Sequence, residues 1–201
     1  MLDGARGGRL GSDHERSLPS LRRRGRRDCR RIGGQVLTGR RLFVLGLAVL
    51  AVTLVADQVS KLILIDVMEA NAFRPIEITG FFNLVMVWNR GVSFGMLGGG
   101  EETTRWLLTI FAVVVACALV VWMRRQELRR QVIAIGLVAG GALGNAIDRV
   151  VYGAVADFFD VHVSGWSWPA FNIADSAITV GVVILVIDAL LTSRSSRKVV
   201  P

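Results

Sequence analysis

Three aspartates stand in stretches that are otherwise apolar, where an ionised side chain is costly and is by default a candidate for function. They are Asp57, Asp148 and Asp175. The last two share a local pattern, because Asn145 and Asn172 each stand three residues before an aspartate. Residues three apart share one face of a helix. Each of these two carboxyl groups is therefore expected to have an amide beside it that can orient it or hydrogen-bond a substrate carbonyl.

Two carboxyl groups held close together cannot both ionise readily, so one of them keeps its proton. The ionised group can take a proton from water while the neutral group polarises a carbonyl, which suits amide hydrolysis without a metal. Other catalytic constellations find little support, because no serine or cysteine stands at a recognisable spacing from His162. Cys29 and Cys117 also lack CxxC partners. We therefore expect no metal and no cofactor.

Four apolar segments must position these residues, and they cover 42–65, 106–123, 132–147 and 173–191. About 20 helical residues cross a hydrocarbon core about 30 Å thick. The second and fourth segments are long enough to cross, and the first is long enough if its polar residues 57–61 are included. The third segment is slightly too short. The sequence therefore predicts an all-α polytopic membrane protein with four transmembrane helices.

The basic residues predict how these helices are oriented. The formal net charge of +8 arises within residues 1–41, and the apolar remainder is neutral, which excludes a uniformly basic nucleic-acid-binding domain. Lys and Arg are concentrated in 1–41, in 124–130 and after residue 192. Because cytoplasmic connections carry an excess of these residues, both termini are predicted to be cytoplasmic. The three aspartates then lie at one depth, near the outer boundary of the membrane.

This topology divides the chain into three parts. Residues 1–41 are predicted to form a disordered, Arg-rich cytoplasmic tail, residues 42–192 the four-span domain, and residues 193–201 a cytoplasmic C-terminal tail. In the first outer connection, residues 73–86 are rich in β-forming residues, which predicts a small extracytoplasmic β-rich cradle there. In the second, Trp166 and Trp168 suit either the headgroup region or the core of the small sheet, and the sequence leaves both readings open.

Five short sequence elements occur in order along the chain. They are DQVSK at 57–61, NRGVSFG at 89–95, GGALGNAIDR at 140–149, VADF at 155–158 and FNIADS at 171–176. Together they resemble the lipoprotein signal peptidase family, also called signal peptidase II. One element alone is a weak signal, whereas five in sequence on four spans are specific. The resemblance covers roughly residues 42–192, and it departs at Ser93, where the family commonly has alanine.

The resemblance implies a bacterial cytoplasmic-membrane aspartyl endopeptidase whose catalytic pair is Asp148 and Asp175. Its implied substrate is a diacylglyceryl-modified prolipoprotein, cut just before the lipidated cysteine and held among membrane lipids. Inhibition by globomycin-type cyclic peptides is expected, and a nucleic-acid partner is not. A further set is implied to line or brace the pocket: Asp57, Lys61, Asn89, Arg90, Gly91, Asn145, Arg149, Asp157 and Asn172.

A small proton-coupled transporter is the alternative, because membrane carboxylates are common in that class. Transporter sites usually lie near the midplane of the bilayer and often accompany inverted repeats. Here the aspartates are predicted to lie near one boundary, which favours the peptidase. A purely structural membrane protein would leave the aspartates unexplained.

Overall fold

The computed structural model describes residues 39–91, 100–163 and 165–197. Its described residues form four long helices, each apolar enough to cross a membrane by length and composition. They are α1 (Gly39–Ala70), α2 (Gly100–Met123), α3 (Arg129–Val151) and α4 (Ile173–Arg197). The four predicted spans are therefore confirmed, and every helix extends beyond its predicted segment at one end or both.

The predicted tails fall mostly outside the described residues. Residues 1–38 and 198–201 are outside them, as is Ser93. Helix α1 begins at Gly39, three residues before the predicted boundary. The disorder of the N-terminal tail stays a prediction.

Helix α3 is the central helix and packs against α1, α2 and α4. Its glycines let the backbones approach closely, as small residues do between membrane helices. A Cβ atom added at Gly140 would lie 2.7 Å from the carbonyl oxygen of Leu50 on α1, and one at Gly141 would lie 2.5 Å from that of Ala174 on α4. Larger side chains would push the helices apart.

Both long connections contribute to a four-stranded antiparallel sheet of order β1-β2-β3-β4. Its strands are β1 (Ile76–Thr79), β2 (Phe82–Asn89), β3 (Val155–Val163) and β4 (Trp166–Ser167). The sequence predicted a small sheet in the first outer connection, where β1 and β2 lie, and the structure adds β3 and β4 from the connection between α3 and α4. The sequence did not predict β3 because residues 155–158 are all buried, so this strand begins without the alternation of apolar and polar residues that marks a half-buried strand.

Pairing of β2 with β3 joins the two connections at one end of the helix bundle, called here the sheet end. In this register Val87 pairs with Asp157 and Asn89 with Val155. A buried apolar cluster of Met68, Ala156 and Phe158 fastens the sheet to the end of α1. Asp157 is thereby held at a defined position beside the helices.

Trp166 and Trp168 lie on the surface of the sheet. They are 61% and 56% exposed, and their rings meet edge to face with centroids 5.4 Å apart. These exposed fractions favour the headgroup region over the core of the sheet.

A different contact closes the opposite end of the bundle. Asp188 on α4 is buried and accepts hydrogen bonds from Arg130 and Gln131 at the start of α3. This carboxylate ties α4 to α3 far from the other aspartates.

Candidate active site

The polar residues singled out by the sequence come mostly together at the sheet end. Asp57 and Lys61 belong to α1, and Asp148 belongs to α3. Asp157 lies on β3, and Asp175 lies in the first turn of α4. The convergence predicted for Asp57, Asp148 and Asp175 is seen, and Asp157 joins them.

Lys61 is a buried cation between two buried carboxylates. Its Nζ lies 2.8 Å from Oδ2 of Asp57 and 2.7 Å from Oδ2 of Asp148. The lysine side chain is 2% exposed, and neither carboxylate has any exposed surface. Nζ also donates a hydrogen bond to Oδ1 of Asn145, over 3.1 Å. Because a buried charge is tolerated only when it is paired, this cluster supplies the lysine with two carboxylate partners in the interior.

The other oxygens of this cluster also have partners. Oδ1 of Asp57 accepts a hydrogen bond from the backbone N–H of Ala174, 2.9 Å away. Asp148 accepts one from the backbone N–H of Ala156 at 3.2 Å and one from Nε2 of Gln58 at 3.0 Å. The sequence reasoning gave Gln58 no role of its own, although it stands inside the DQVSK element. The lysine cluster therefore joins α1, α3, α4 and β3.

Asp175 is held by the two asparagines. Its backbone N–H donates to Oδ1 of Asn172 at 2.9 Å, and its Oδ2 accepts from the backbone N–H of Asn172 at 3.3 Å. This reciprocal pair is a capping box at the start of α4. Nδ2 of Asn145 donates to the other oxygen of Asp175 at 2.8 Å. Asn172 thus lies beside its own aspartate as predicted, whereas the amide of Asn145 turns to Asp175 rather than to Asp148.

Asp157 is connected to the same asparagine. Nδ2 of Asn172 donates to Oδ1 of Asp157 at 2.8 Å, and Nδ2 of Asn89 donates to Oδ2 at 3.0 Å. Burial raises the pKa of Asp157 to about 6, and the negative charge of Asp175 acts in the same direction. A carboxyl group whose hydrogen bonds come from neutral amides, beside a second carboxylate, is able to change its protonation state near neutral pH.

The remaining members of the predicted set divide into two groups. Arg149 donates a hydrogen bond to the backbone carbonyl of Asn145 at 3.2 Å, and its charge interacts with Asp148, Asp157 and Asp175. The backbone N–H of Gly91 donates to Oδ1 of Asn89 at 2.9 Å. Arg90 points elsewhere and forms an exposed ion pair with Glu101 at 2.5 Å.

Gly91 adopts a φ of +95°, and an added Cβ would lie 2.3 Å from Cδ1 of Leu108. Only glycine tolerates this left-handed backbone next to α2 without strain. It therefore allows the chain to turn directly after Asn89.

No cluster of three or more His, Cys, Asp or Glu side chains within the described ranges is arranged to hold a metal ion. The expectation that no metal takes part stays a prediction.

Comparison with protein families decides the classification of the chain. The family model described as signal peptidase (SPase) II matches residues 49–191. The chain belongs to the signal peptidase II family. The resemblance based on five short elements is thereby confirmed, and family membership makes the chain a membrane peptidase.

Curated relatives in this family cover most of the domain. The chain is 48% identical over 150 residues to the lipoprotein signal peptidase of Methylobacterium sp. (strain 4-46), covering 75% of this chain and 91% of that protein. It is 43% identical over 152 residues to that of Burkholderia ambifaria (strain MC40-6), covering 75% and 90%. The match therefore includes almost the whole length of these relatives.

Two solved structures share the fold. One is a bacterial membrane enzyme determined by the in meso method at 2.3 Å resolution, with a TM-score of 0.62, 32% identity and coverage of 78% of this chain and 93% of that one. Another, determined at 1.9 Å, has a TM-score of 0.60, 34% identity and coverage of 72% and 92%. With four apolar helices, this signal peptidase II family member is a multi-pass inner-membrane protein.

The raised pKa of Asp157 predicts a pH dependence of stability. The pKa of the Asp157 carboxyl group rises from its usual value near 3.8 to about 6 in the folded protein. The stabilisation of the fold by the neutral carboxyl group is therefore complete below about pH 4, and it is lost as the pH rises through about 6. Asp157→Asn cannot ionise. We therefore expect the difference in free energy of unfolding between Asp157→Asn and wild type to shift in favour of the variant by up to about 3 kcal/mol between pH 4 and pH 7.

Thermal and chemical unfolding in detergent across this pH range would measure the effect. Asp160→Asn, on the same strand, controls for the removal of a strand carboxylate. A stability difference between wild type and Asp157→Asn that does not change with pH would contradict the assigned shift.

Proposed function

We propose that the chain is an aspartyl endopeptidase that removes signal peptides from diacylglyceryl-modified prolipoproteins, with Asp157 and Asp175 as its catalytic pair. The observation that carries this proposal is the shared asparagine, because Asn172 hydrogen-bonds to both carboxyl groups. This pair differs from Asp148 and Asp175, the pair implied by the resemblance.

The environment of Asp148 supports the change of partner. Lys61 lies 2.7 Å from its Oδ2, which also accepts a hydrogen bond from the backbone N–H of Ala156, and Gln58 donates to its Oδ1. A carboxyl group whose two oxygens are both occupied by partners on α1 and β3 is suited to holding the helices and the sheet together. Asp157 has amide partners and forms no ion pair with the side chains that the structure describes, so it can carry the proton that a carboxyl pair must share.

Each member of the pair then has a role. Asp175 stands at the start of α4, where the helix dipole favours a negative charge. Its carboxylate takes a proton from water, and the water oxygen attacks the scissile carbonyl, whose oxygen is polarised by the protonated Asp157. Asp157 passes its proton to the carbonyl oxygen, which gives a tetrahedral diol. As the diol collapses, one hydroxyl proton returns to Asp157, the C–N bond breaks, and the proton held by Asp175 passes to the leaving amine. Asn145 and Asn172 hold Asp175 in position throughout.

The position of the pair accounts for a lipidated substrate. The aspartates lie at the sheet end of spanning helices, at the level of the headgroups, so acyl chains in the bilayer would bring the bond before the lipidated cysteine to this depth. This placement at one end favours the peptidase over the proton-coupled transporter. The distribution of Lys and Arg supports cytoplasmic termini, an active site near the extracytoplasmic face and an N-terminal tail in the cytoplasm.

The substrate assignment is tested with purified protein and a prolipoprotein in lipidated and unlipidated forms. We expect cleavage of the lipidated form only, just before the modified cysteine as read by mass spectrometry, with inhibition by a globomycin-type cyclic peptide and no effect of EDTA. Equal cleavage of the unlipidated form would overturn the substrate assignment. Loss of activity in EDTA with recovery in zinc would overturn the metal-free mechanism.

A further inference from the structure

A groove of about 560 Å³ lies at the sheet end, where the end of β2, the start of α2 and the end of α3 meet. Trp88 contributes to its wall and directly precedes Asn89, whose side chain contacts Asp157. Because neighbouring residues of a strand point to opposite faces, Trp88 points away from Asn89, and the lining of the groove contains neither member of the proposed catalytic pair. It is a separate cavity that the mechanism does not use.

Basic and acidic side chains both line this groove, and one nitrogen of Arg105 lacks a hydrogen-bond partner among the described residues. Arg105 donates to the backbone carbonyl of Val150 at 3.2 Å, but its Nε is buried and has no hydrogen-bond partner among the described residues. Glu101 and Glu102 supply the acidic side chains of the groove, and Arg90 forms an ion pair with Glu101 at its rim. A ligand with one negative and one positive group matches this wall.

Aromatic rings complete the site. The rings of Trp88 and Tyr152 have centroids 5.4 Å apart, and both residues are 42% exposed. The guanidinium of Arg105 lies 4.9 Å from the ring of the neighbouring Trp106. Tryptophan and tyrosine are typical of the headgroup level of a membrane, and the faces of their rings attract ammonium groups.

We propose that this groove binds the headgroup of a phospholipid that carries both a phosphate and an ammonium group, such as phosphatidylethanolamine. The phosphate accepts hydrogen bonds from the guanidinium groups of Arg105 and Arg90, since the guanidinium fork suits phosphate oxygens. The ammonium group lies against Glu102 and the paired rings of Trp88 and Tyr152. The groove is within the size range of small-molecule sites, and its position at the ends of two spanning helices leaves the acyl chains in the bilayer.

Lipid binding to the purified full chain in detergent tests this proposal independently of peptidase activity. Native mass spectrometry and thermal unfolding would be recorded with phosphatidylethanolamine, phosphatidylglycerol and diacylglycerol. We expect wild type to bind phosphatidylethanolamine about tenfold more tightly than either other lipid, and Arg105→Gln to lose about tenfold of that affinity. Glu102→Gln should remove the preference for phosphatidylethanolamine over phosphatidylglycerol, and because Glu102 is exposed, this variant tests the site even if Arg105→Gln fails to fold.

Arg124→Gln is the matched control. Arg124 also lies over an aromatic ring, 5.2 Å from that of Phe43, but follows the other end of α2, so its replacement should leave lipid binding unchanged. Equal binding of phosphatidylglycerol by wild type would overturn the two-charge assignment. Wild-type binding by Arg105→Gln, or the same loss in Arg124→Gln, would overturn the site.

Discussion

Asp157→Asn is expected to lower the rate of prolipoprotein cleavage at least about 10³-fold while the protein stays folded, because it removes a proton-transferring group from the proposed pair. Asp175→Asn should have an effect of similar size. The double variant should be little worse than either single variant, since groups that act as a unit do not contribute additively. Single-turnover cleavage of a lipidated substrate by each purified variant would measure these rates.

Asp148→Asn separates this pair from the one implied by the resemblance. It leaves Lys61, which now contacts both Asp57 and Asp148, with a single carboxylate. We expect a loss of stability, and a loss of activity only in proportion to the unfolded fraction. Asp160→Asn, a carboxylate on the same strand as Asp157, should cleave like wild type.

Two outcomes would decide against Asp157. The first is near-normal cleavage by Asp157→Asn. The second is a loss of about 10³-fold in an Asp148→Asn protein that is as stable as wild type, which would restore the pair of Asp148 and Asp175.

Lys61→Met is expected to lower the free energy of unfolding by about 3–5 kcal/mol, because breaking a buried ion pair leaves its partner charge uncompensated. Here two carboxylates without exposed surface would lose their shared cation. Methionine fills most of the lysine volume, so the loss would reflect charge more than packing. Adding Asp57→Asn should recover part of the stability, and chemical unfolding in detergent would measure both changes.

Arg90→Gln is the control for this prediction. Its ion pair with Glu101 is largely exposed on both sides, and exposed pairs contribute about 0–1 kcal/mol. A loss below about 1 kcal/mol in Lys61→Met would contradict the role assigned to the buried cluster.

The sequence by itself determined the four spans and the family. Apolar runs long enough to cross a bilayer are a local property of the chain, so segment length alone predicted each helix. The same runs made Asp57, Asp148 and Asp175 conspicuous, and counting residues along each span predicted that they meet at one end. Three of the five short elements lie on those helices and two lie in the connections, and the family that they indicate together was confirmed by the family model.

The tertiary structure decided which of these residues touch. The pairing of Val87 with Asp157 joins positions 70 residues apart, and no periodicity in either segment encodes it. This pairing brings β3 into the sheet, places Asp157 against Asn172 and leaves Arg90 outside the cluster. The choice of Asp148 as the partner of Lys61 likewise depends on how closely α3 approaches α1. Spacing along a helix assigns a residue to a depth and a face. Its contacts across an interface are determined only when the helices and the sheet pack together.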